Sequence, residues 1–167
     1  MTQSASPGRA FVFGDNIDTD VLAPGSLMKL APEALAKHCL EAVAPTFAAT
    51  VRPGDLVVAG ANFGMGSSRE QAAVSLKLLG VRAVLATSFA RIFWRNAINL
   101  GLPALVFPDA LSVLDGDRLN VDAAAGRVEN LTQGRTHAIQ ALPPHLMEMI
   151  AAGGLIPHLK RRLGAAA

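Results

Sequence analysis

Three short apolar runs recur through the middle of the chain, and a helical pattern separates each from the next. The runs are residues 55–60 (DLVVAG), 81–87 (VRAVLAT) and 104–107 (ALVF). They do not alternate apolar with polar residues, which is typical of strands covered on both faces. Gly80 and Gly101 stand where the two intervening helices would end. Strand, helix, strand, helix, strand at this spacing predicts a parallel sheet with right-handed crossovers.

The segments on either side of this centre complete the predicted fold. Residues 9–13 (RAFVF) indicate another strand, and residues 32–44 indicate a helix whose apolar face carries Leu35, Cys39 and Val43. Toward the carboxyl terminus, short runs between glycine turns predict antiparallel strands and then a last helix. We expect an α/β domain with a mainly parallel sheet, flanking helices and a smaller antiparallel C-terminal sheet. Because 167 residues suffice for one hydrophobic core, residues 1–167 are expected to form a single domain.

Charge and composition exclude several classes of function. The formal net charge is only +2, and no basic stripe interleaves with aromatic residues, so nucleic-acid binding is not expected. Arginines interrupt the richest apolar region, and no apolar run reaches the roughly 18 residues that a membrane span requires. The first residues lack the basic and apolar regions of a secretory signal, so we expect a cytoplasmic protein. Cys39 is the single cysteine, which excludes an intrachain disulfide and any metal site built from several cysteines of this chain.

A glycine-rich segment follows the second predicted strand. Residues 60–71 read GANFGMGSSREQ, and Ser67 with Glu70 matches the capping box that begins a helix. Its glycines permit close backbone approach, and Arg69 at the helix start adds a donor that matches a carboxylate or phosphate. The segment therefore predicts an anion site. The alternative is equally open at this point: Ser67 only caps the helix and Arg69 points into solvent. Ser88 is expected to cap the following helix, with Ile92 and Phe93 in its apolar stripe.

An acidic loop precedes this segment by some fifty residues. Residues 15–21 read DNIDTDV, with Asp15, Asp18 and Asp20 close together. A calcium loop requires a downstream glycine and glutamate that are missing here. Two interpretations stay open: the acids order the loop through side-chain to backbone hydrogen bonds, or one of them belongs to a polar active site.

The two motifs together, GDNIDTDV and GANFGMGSSREQ continuing through SFARIF to GLP, resemble the small subunit of 3-isopropylmalate dehydratase. The resemblance extends over about residues 9–107 and implies the swivelling β/β/α domain of the aconitase superfamily. It implies a hydro-lyase that moves a hydroxyl between neighbouring carbons of a small carboxylic acid by dehydration and rehydration. The resemblance also places a [4Fe–4S] cluster in a separate large subunit, with no cofactor on this chain. The expected assembly is a heterodimer or heterotetramer.

The resemblance assigns roles to individual residues. Ser67 corresponds to the catalytic base, and Ser68, Arg69 and Asp20 to groups that bind the substrate. The supporting loop residues are Asp18, Thr19, Asn62, Gly64 and Gly66.

The sequence departs from the family pattern at three positions. Met65 and Gln71 stand where the family usually has cysteine and histidine. Lys29 falls at the position that discriminates between substrates, where it is expected either to meet a distal carboxylate or to remain solvated. The leading expectation is 3-isopropylmalate in leucine biosynthesis. The alternatives are a related homoaconitase, citraconate, methylmalate or dimethylmalate dehydratase, and, from another class, a non-catalytic carboxylate-binding or regulatory module.

Overall fold

The structure, a computed structural model, describes residues 6–164. Residues 1–5 and 165–167 lie outside this range, and the expected single domain over residues 1–167 stays a prediction. The strands are β1 (Gly8–Val12), β2 (Leu56–Ala59), β3 (Ala83–Ala86), β4 (Ala104–Val106), β5 (Arg118–Asp122), β6 (Arg127–Asn130) and β7 (Arg135–Ala138). The helices are α1 (Thr19–Leu22), α2 (Pro32–Ala36), α3 (Phe47–Thr50), α4 (Gln71–Leu78), α5 (Arg91–Asn99), α6 (Pro144–Ala151) and α7 (Leu155–Gly164). Two short 3₁₀ helices occupy Gly25–Leu27 and Ala110–Ser112.

All seven strands form one mixed sheet in the order β4-β3-β2-β1-β5-β6-β7. β4, β3, β2 and β1 are parallel, and the apolar runs predicted this for β2, β3 and β4. Their side chains alternate between two core clusters, with Val57 and Val84 on one face and Leu56 and Leu85 on the other. Burial on both faces explains why these strands show no polar alternation in the sequence.

The antiparallel strands predicted near the carboxyl terminus are confirmed. They extend the same sheet, because β5 pairs with the free edge of β1 through Gly8 and Leu119. β6 and β7 then add in antiparallel order. β1 therefore joins the parallel and antiparallel halves, and its amino end lies beside both.

The helix predicted over residues 32–44 is wrong in its length. α2 ends at Ala36, and Leu40 adopts a left-handed conformation with φ of 62°. The Leu40 amide donates to the carbonyl of Val21, which draws this turn onto α1. Cys39 is buried as predicted, and burial raises the pKa of its thiol, but Val43 is half exposed.

The predicted helix caps at Ser67 and Ser88 are also wrong. α4 begins at Gln71 after Glu70, without a capping side chain, so no capping box forms. α5 begins at Arg91, and the Ser88 hydroxyl instead accepts a hydrogen bond from the Asn62 amide. In both cases a contact from another loop replaced the local cap that the sequence pattern favoured.

The ends and faces of these helices match the sequence more closely. Gly80 and Gly101 have φ of 84° and 78°, in keeping with their predicted place at helix ends. Phe93 of α5 is buried, whereas Ile92 is half exposed and does not belong to the buried stripe. Within residues 6–164, no helix has the length and apolar character needed to cross a membrane.

Candidate active site

Two loops meet at the carboxyl ends of β1 and β2. The Asn16 amide donates to the carbonyl of Ala61, and the Gly64 amide donates to that of Ile17 at 2.7 Å. The Thr19 amide, like that of Asn16, donates from the acidic loop to the glycine loop, to the carbonyl of Met65 at 2.8 Å. The acidic motif and the glycine-rich motif therefore form one structure, although some fifty residues separate them.

Glycine is required at two points of this contact. A Cβ on Gly60 would lie 1.9 Å from Oδ1 of Asp15, whose carboxylate accepts the Ala61 amide at 2.7 Å. Gly64 has φ of 80°, and a Cβ there would lie 2.2 Å from Cγ of Phe93. The loop after β2 thus rests directly on the aromatic face of α5.

Ser67 is exposed at the rim of the paired loops, and Thr19 beneath it is buried. The Ser67 amide donates to Oγ1 of Thr19 at 3.0 Å, and the two hydroxyl oxygens lie 3.1 Å apart. A hydroxyl that accepts the amide still has its own proton to donate. If Ser67 lost its proton, Thr19 would be the donor of this second hydrogen bond.

Arg69 and Asp20 form an ion pair beside Ser67. Nη1 of Arg69 donates to Oδ1 of Asp20 at 2.8 Å and to the carbonyl of Ala23 at 3.0 Å. The same carboxylate oxygen accepts the Gly25 amide. The hydrogen bond from Arg69 and that from the Gly25 amide hold the pKa of Asp20 below its ordinary value. Asp20 is therefore ionised at neutral pH, and its Oδ1 orients Arg69.

The remaining predicted residues occupy the same loops. Oδ1 of Asp18 accepts the Val21 amide and caps α1, so this acid orders the loop as one of the two interpretations proposed. Asn62, with φ of 59°, donates to the side chain of Asn16. At Gly66, with φ of 107°, an added Cβ would lie 3.0 Å from Oγ1 of Thr19. Ser68 is exposed, and its carbonyl accepts a long hydrogen bond from Asn96.

The three departures from the family pattern lie at the surface. Met65 is 40% exposed, and Gln71 is exposed at the start of α4. Lys29 is exposed just after the 3₁₀ helix Gly25–Leu27, while its neighbours Leu27 and Met28 pack against the core. The expected contact of Lys29 with a substrate stays a prediction.

Two arginines that the sequence interpretation missed share a cavity with Ser67. This open cavity of about 510 Å³ is lined by the glycine loop and by Arg91 and Arg95 of α5. Both arginines are exposed, and within residues 6–164 neither forms an ion pair. Like charges four residues apart on a helix destabilise it slightly. The sequence did contain a signal for them: two arginines four residues apart on a predicted helix lie on the same helix face, and this helix follows the predicted anion-binding segment.

No metal site is apparent in the part of the chain that the structure describes. It contains no group of three or more histidine, cysteine, aspartate or glutamate side chains placed to hold a metal ion. Cys39 is fully buried in the hydrophobic core and has no access to an external group. The residues described here therefore do not fit an iron–sulfur cluster bound by this chain alone.

We expect Gly64→Ala to destabilise the protein by about 2–4 kcal/mol, because an alanine there is strained at positive φ and overlaps Phe93. Chemical denaturation would measure the free energy of unfolding. Gly14→Ala is the matched control, because a Cβ at Gly14 meets nothing within 4 Å. Equal stability of the two variants would contradict the packing described for the glycine loop.

Comparisons with known proteins identify relatives of this chain. The sequence family of the aconitase C-terminal domain matches residues 38–110 of this chain. The 3-isopropylmalate dehydratase small subunit of Moorella thermoacetica is 48% identical over 158 residues, which cover 93% of this chain and 95% of that protein. Small subunit 1 of the same enzyme from Archaeoglobus fulgidus is 49% identical over 92% of this chain and 96% of its own length.

A solved structure extends the similarity to three dimensions. The crystal structure of 3-isopropylmalate dehydratase from Methanocaldococcus jannaschii superposes with a TM-score of 0.91, at 40% identity, and the match covers 96% of each chain. The similarity therefore includes the antiparallel strands and last helices as well as the two motifs. The chain belongs to the family of 3-isopropylmalate dehydratase small subunits.

Proposed function

We propose that this chain is the small subunit of a hydro-lyase that interconverts 2- and 3-isopropylmalate in leucine biosynthesis. The observation that carries the proposal is the nearly full-length similarity to subunits named for this enzyme. The site geometry is compatible with it, since Ser67, Thr19, Arg69 and Asp20 lie together at one end of the sheet.

The chain acts together with a large subunit, as the small-subunit relatives imply. We propose that this partner holds the [4Fe–4S] cluster and that the assembly is a heterodimer or heterotetramer. Such a cluster would supply a Lewis acid for the departing hydroxyl of the substrate. The core position of Cys39 supports a cluster held elsewhere. The cytoplasmic location stays a prediction.

On this chain, the proposed chemistry is a proton transfer at Oγ of Ser67. The deprotonated serine oxygen takes the proton beside a substrate carboxylate as the C–H bond breaks. The electron pair of that bond forms a C=C double bond, and the hydroxyl leaves the neighbouring carbon as hydroxide, which the Lewis acid of the large subunit would accept. In rehydration, hydroxide adds to the carbon that lost the proton, and Ser67 returns the proton to the carbon that lost the hydroxyl. Ser68 and Arg69 are proposed to hold a carboxylate of the substrate, with Asp20 orienting Arg69.

A serine hydroxyl is a weak base, so its deprotonated form requires stabilisation. Thr19 lies 3.1 Å away and can donate a hydrogen bond to the serine oxygen. Hydrogen bonds to a charged group contribute roughly 1.5–3 kcal/mol. Arg91 and Arg95 add positive charge to the same cavity. Ser67 is exposed in this chain. We propose that the large subunit covers the site and excludes water, which strengthens these interactions.

The alternatives raised by the sequence are not favoured. The relatives cited above are named for 3-isopropylmalate dehydratase and not for a homoaconitase, citraconate, methylmalate or dimethylmalate dehydratase. A non-catalytic carboxylate-binding module rested on Met65, Gln71 and the segment around Lys29. These residues lie at the surface and leave the Thr19 and Ser67 contact intact.

We expect Ser67→Ala, assembled with the large subunit, to bind substrate with little change in KM and to lose kcat by about 100- to 10,000-fold, the usual contribution of a positioned acid or base. Steady-state kinetics of the reconstituted complex would measure this. Ser6→Ala, an exposed serine before β1, is the control and should retain full turnover. Near-normal turnover of Ser67→Ala would refute the assigned base.

Thr19→Val tests the supporting hydroxyl separately. Valine keeps the buried shape but removes both the donor to the Ser67 oxygen and the acceptor of the Ser67 amide. We expect kcat to fall roughly 10- to 100-fold, mainly through the lost hydrogen bond to the charged serine oxygen. KM should change little, because Thr19 is buried beneath Ser67. Thr19→Ser retains the hydroxyl and should restore most of the activity. Equal kcat in the valine and serine variants would rule out this role for Thr19.

Lys29 allows a test of the substrate. 3-Isopropylmalate has an isopropyl group in place of a distal carboxylate, so Lys29 has no charged partner on this substrate. Lys29→Leu should therefore change its turnover no more than Lys37→Leu does, since Lys37 is also an exposed lysine. The reconstituted complex should also prefer 3-isopropylmalate to homoaconitate. A preference for homoaconitate that disappears in Lys29→Leu alone would overturn the substrate assignment and establish Lys29 as a specificity residue.

A further inference from the structure

A second polar cavity lies at the opposite end of the parallel sheet, where β1, β2 and β3 begin. It has a volume of about 590 Å³ and is lined by four arginines, Arg9, Arg52, Arg82 and Arg118, with Asp55 as its one acid. Asp55 directly precedes β2, whereas the glycine loop of the candidate active site follows that strand. A four-residue strand spans roughly 13 Å, so the two sites are separate.

Two of the arginines are bound to neighbouring carbonyls of the chain. Nη1 of Arg82 donates to the carbonyl of Ser6 at 2.7 Å, and Nη2 of Arg118 donates to the carbonyl of Pro7 at 2.6 Å. Ser6 and Pro7 are consecutive, so both guanidinium groups are anchored to the same short segment, and both arginines line the cavity. Positive charges that line one cavity repel each other, and an anion bound there would relieve the repulsion.

Arg82 also has an unsatisfied donor. Its Nη2 atom is buried and has no hydrogen-bond partner among residues 6–164. Burial lowers the pKa of the Arg82 guanidinium, and the charge of Asp55 opposes that effect. Buried polar groups in folded proteins are nearly always hydrogen-bonded, so this donor leaves the Arg82 guanidinium, whose side chain lines the cavity, with one unused hydrogen bond.

The acids of this region leave most of the positive charge uncompensated. Asp55 accepts the backbone amides of Arg9 and Arg52 at 3.0 and 2.8 Å, so its two oxygens are directed at the main chain. The Arg9 guanidinium lies 3.7 Å from Asp115. Within the described residues, Arg52, Arg82 and Arg118 have no carboxylate within 4.0 Å.

We propose that this arginine cavity binds a small oxyanion that carries at least two negative charges, either a phosphate group or a dicarboxylate. Guanidinium groups present paired donors that match both kinds of anion, and Arg82 supplies a donor that no protein group uses. Arg118 contributes a second charge from β5. The site therefore spans the junction between the parallel and antiparallel halves of the sheet at β1.

The test is calorimetric titration of the full-length chain with inorganic phosphate and, in a second arm, with malonate, both in buffer of matched chloride concentration. We expect saturable binding of at least one anion with one site per chain. Arg82→Gln and Arg118→Gln should each weaken it by about tenfold or more, as expected for loss of a charge-assisted hydrogen bond. Arg135→Gln removes an exposed arginine of β7 and should leave the affinity unchanged.

The outcomes decide the proposal independently of the dehydratase reaction, since neither Ser67 nor the large subunit takes part. Tighter binding of phosphate identifies a phosphate-bearing ligand, and tighter binding of malonate identifies a dicarboxylate; either supports the site. The absence of saturable binding in both arms would overturn it, as would equal weakening by Arg135→Gln. If Arg82→Gln lowers the melting temperature strongly, Arg118→Gln decides, because Arg118 is exposed and its side chain makes one hydrogen bond.

Discussion

Main-chain hydrogen bonds between the loops after β1 and β2 are the interaction on which the candidate active site depends. Parallel pairing of β1 with β2 delivers both loops to the same edge of the sheet. The bonds from Gly64 to Ile17 and from Thr19 to Met65 then set the loops in register. Only with this register does the Thr19 hydroxyl lie beneath Ser67. The site is therefore a product of strand order, and neither motif could form it alone.

The parts of the fold that local physics determines could be predicted from the sequence. Runs without polar alternation identified the doubly buried parallel strands, and Gly80 and Gly101 marked helix ends because both adopt positive φ. The predicted caps failed for the opposite reason. The Ser67 amide bonds to Thr19, 48 residues earlier, and the Ser88 hydroxyl bonds to the Asn62 amide, 26 residues earlier. A capping box describes only four consecutive residues, so it does not take account of hydrogen-bond partners from distant loops.

The residues of the candidate site also fall into two groups: those that a local motif identified and those that depend on packing between distant segments. The motifs and their family resemblance named Ser67, Arg69 and Asp20, and the structure brings these residues together. Arg91 and Arg95 were missed, because only the crossover from β3 into α5 places this helix beside the glycine loop. The lining of a cavity depends on packing between elements, which periodicity within one element does not encode. The ion pair of Arg69 with Asp20 was likewise absent from the sequence interpretation, which assigned both residues to the substrate.

That ion pair changes the electrostatic argument for the site. The lowered pKa of Asp20 keeps its carboxylate charged at neutral pH, so part of the positive charge of Arg69 is already compensated. Arg91 and Arg95 line the cavity that Ser67 also lines and, within the described residues, form no ion pair, so they add uncompensated positive charge to it. Exposed charges are weakened by water and salt, and their effect on an alkoxide grows when the cavity is covered. We therefore expect activity to depend on covering of the cavity by the large subunit, because the exclusion of water strengthens the stabilisation of deprotonated Ser67 and so increases the fraction of Ser67 that is available as the base.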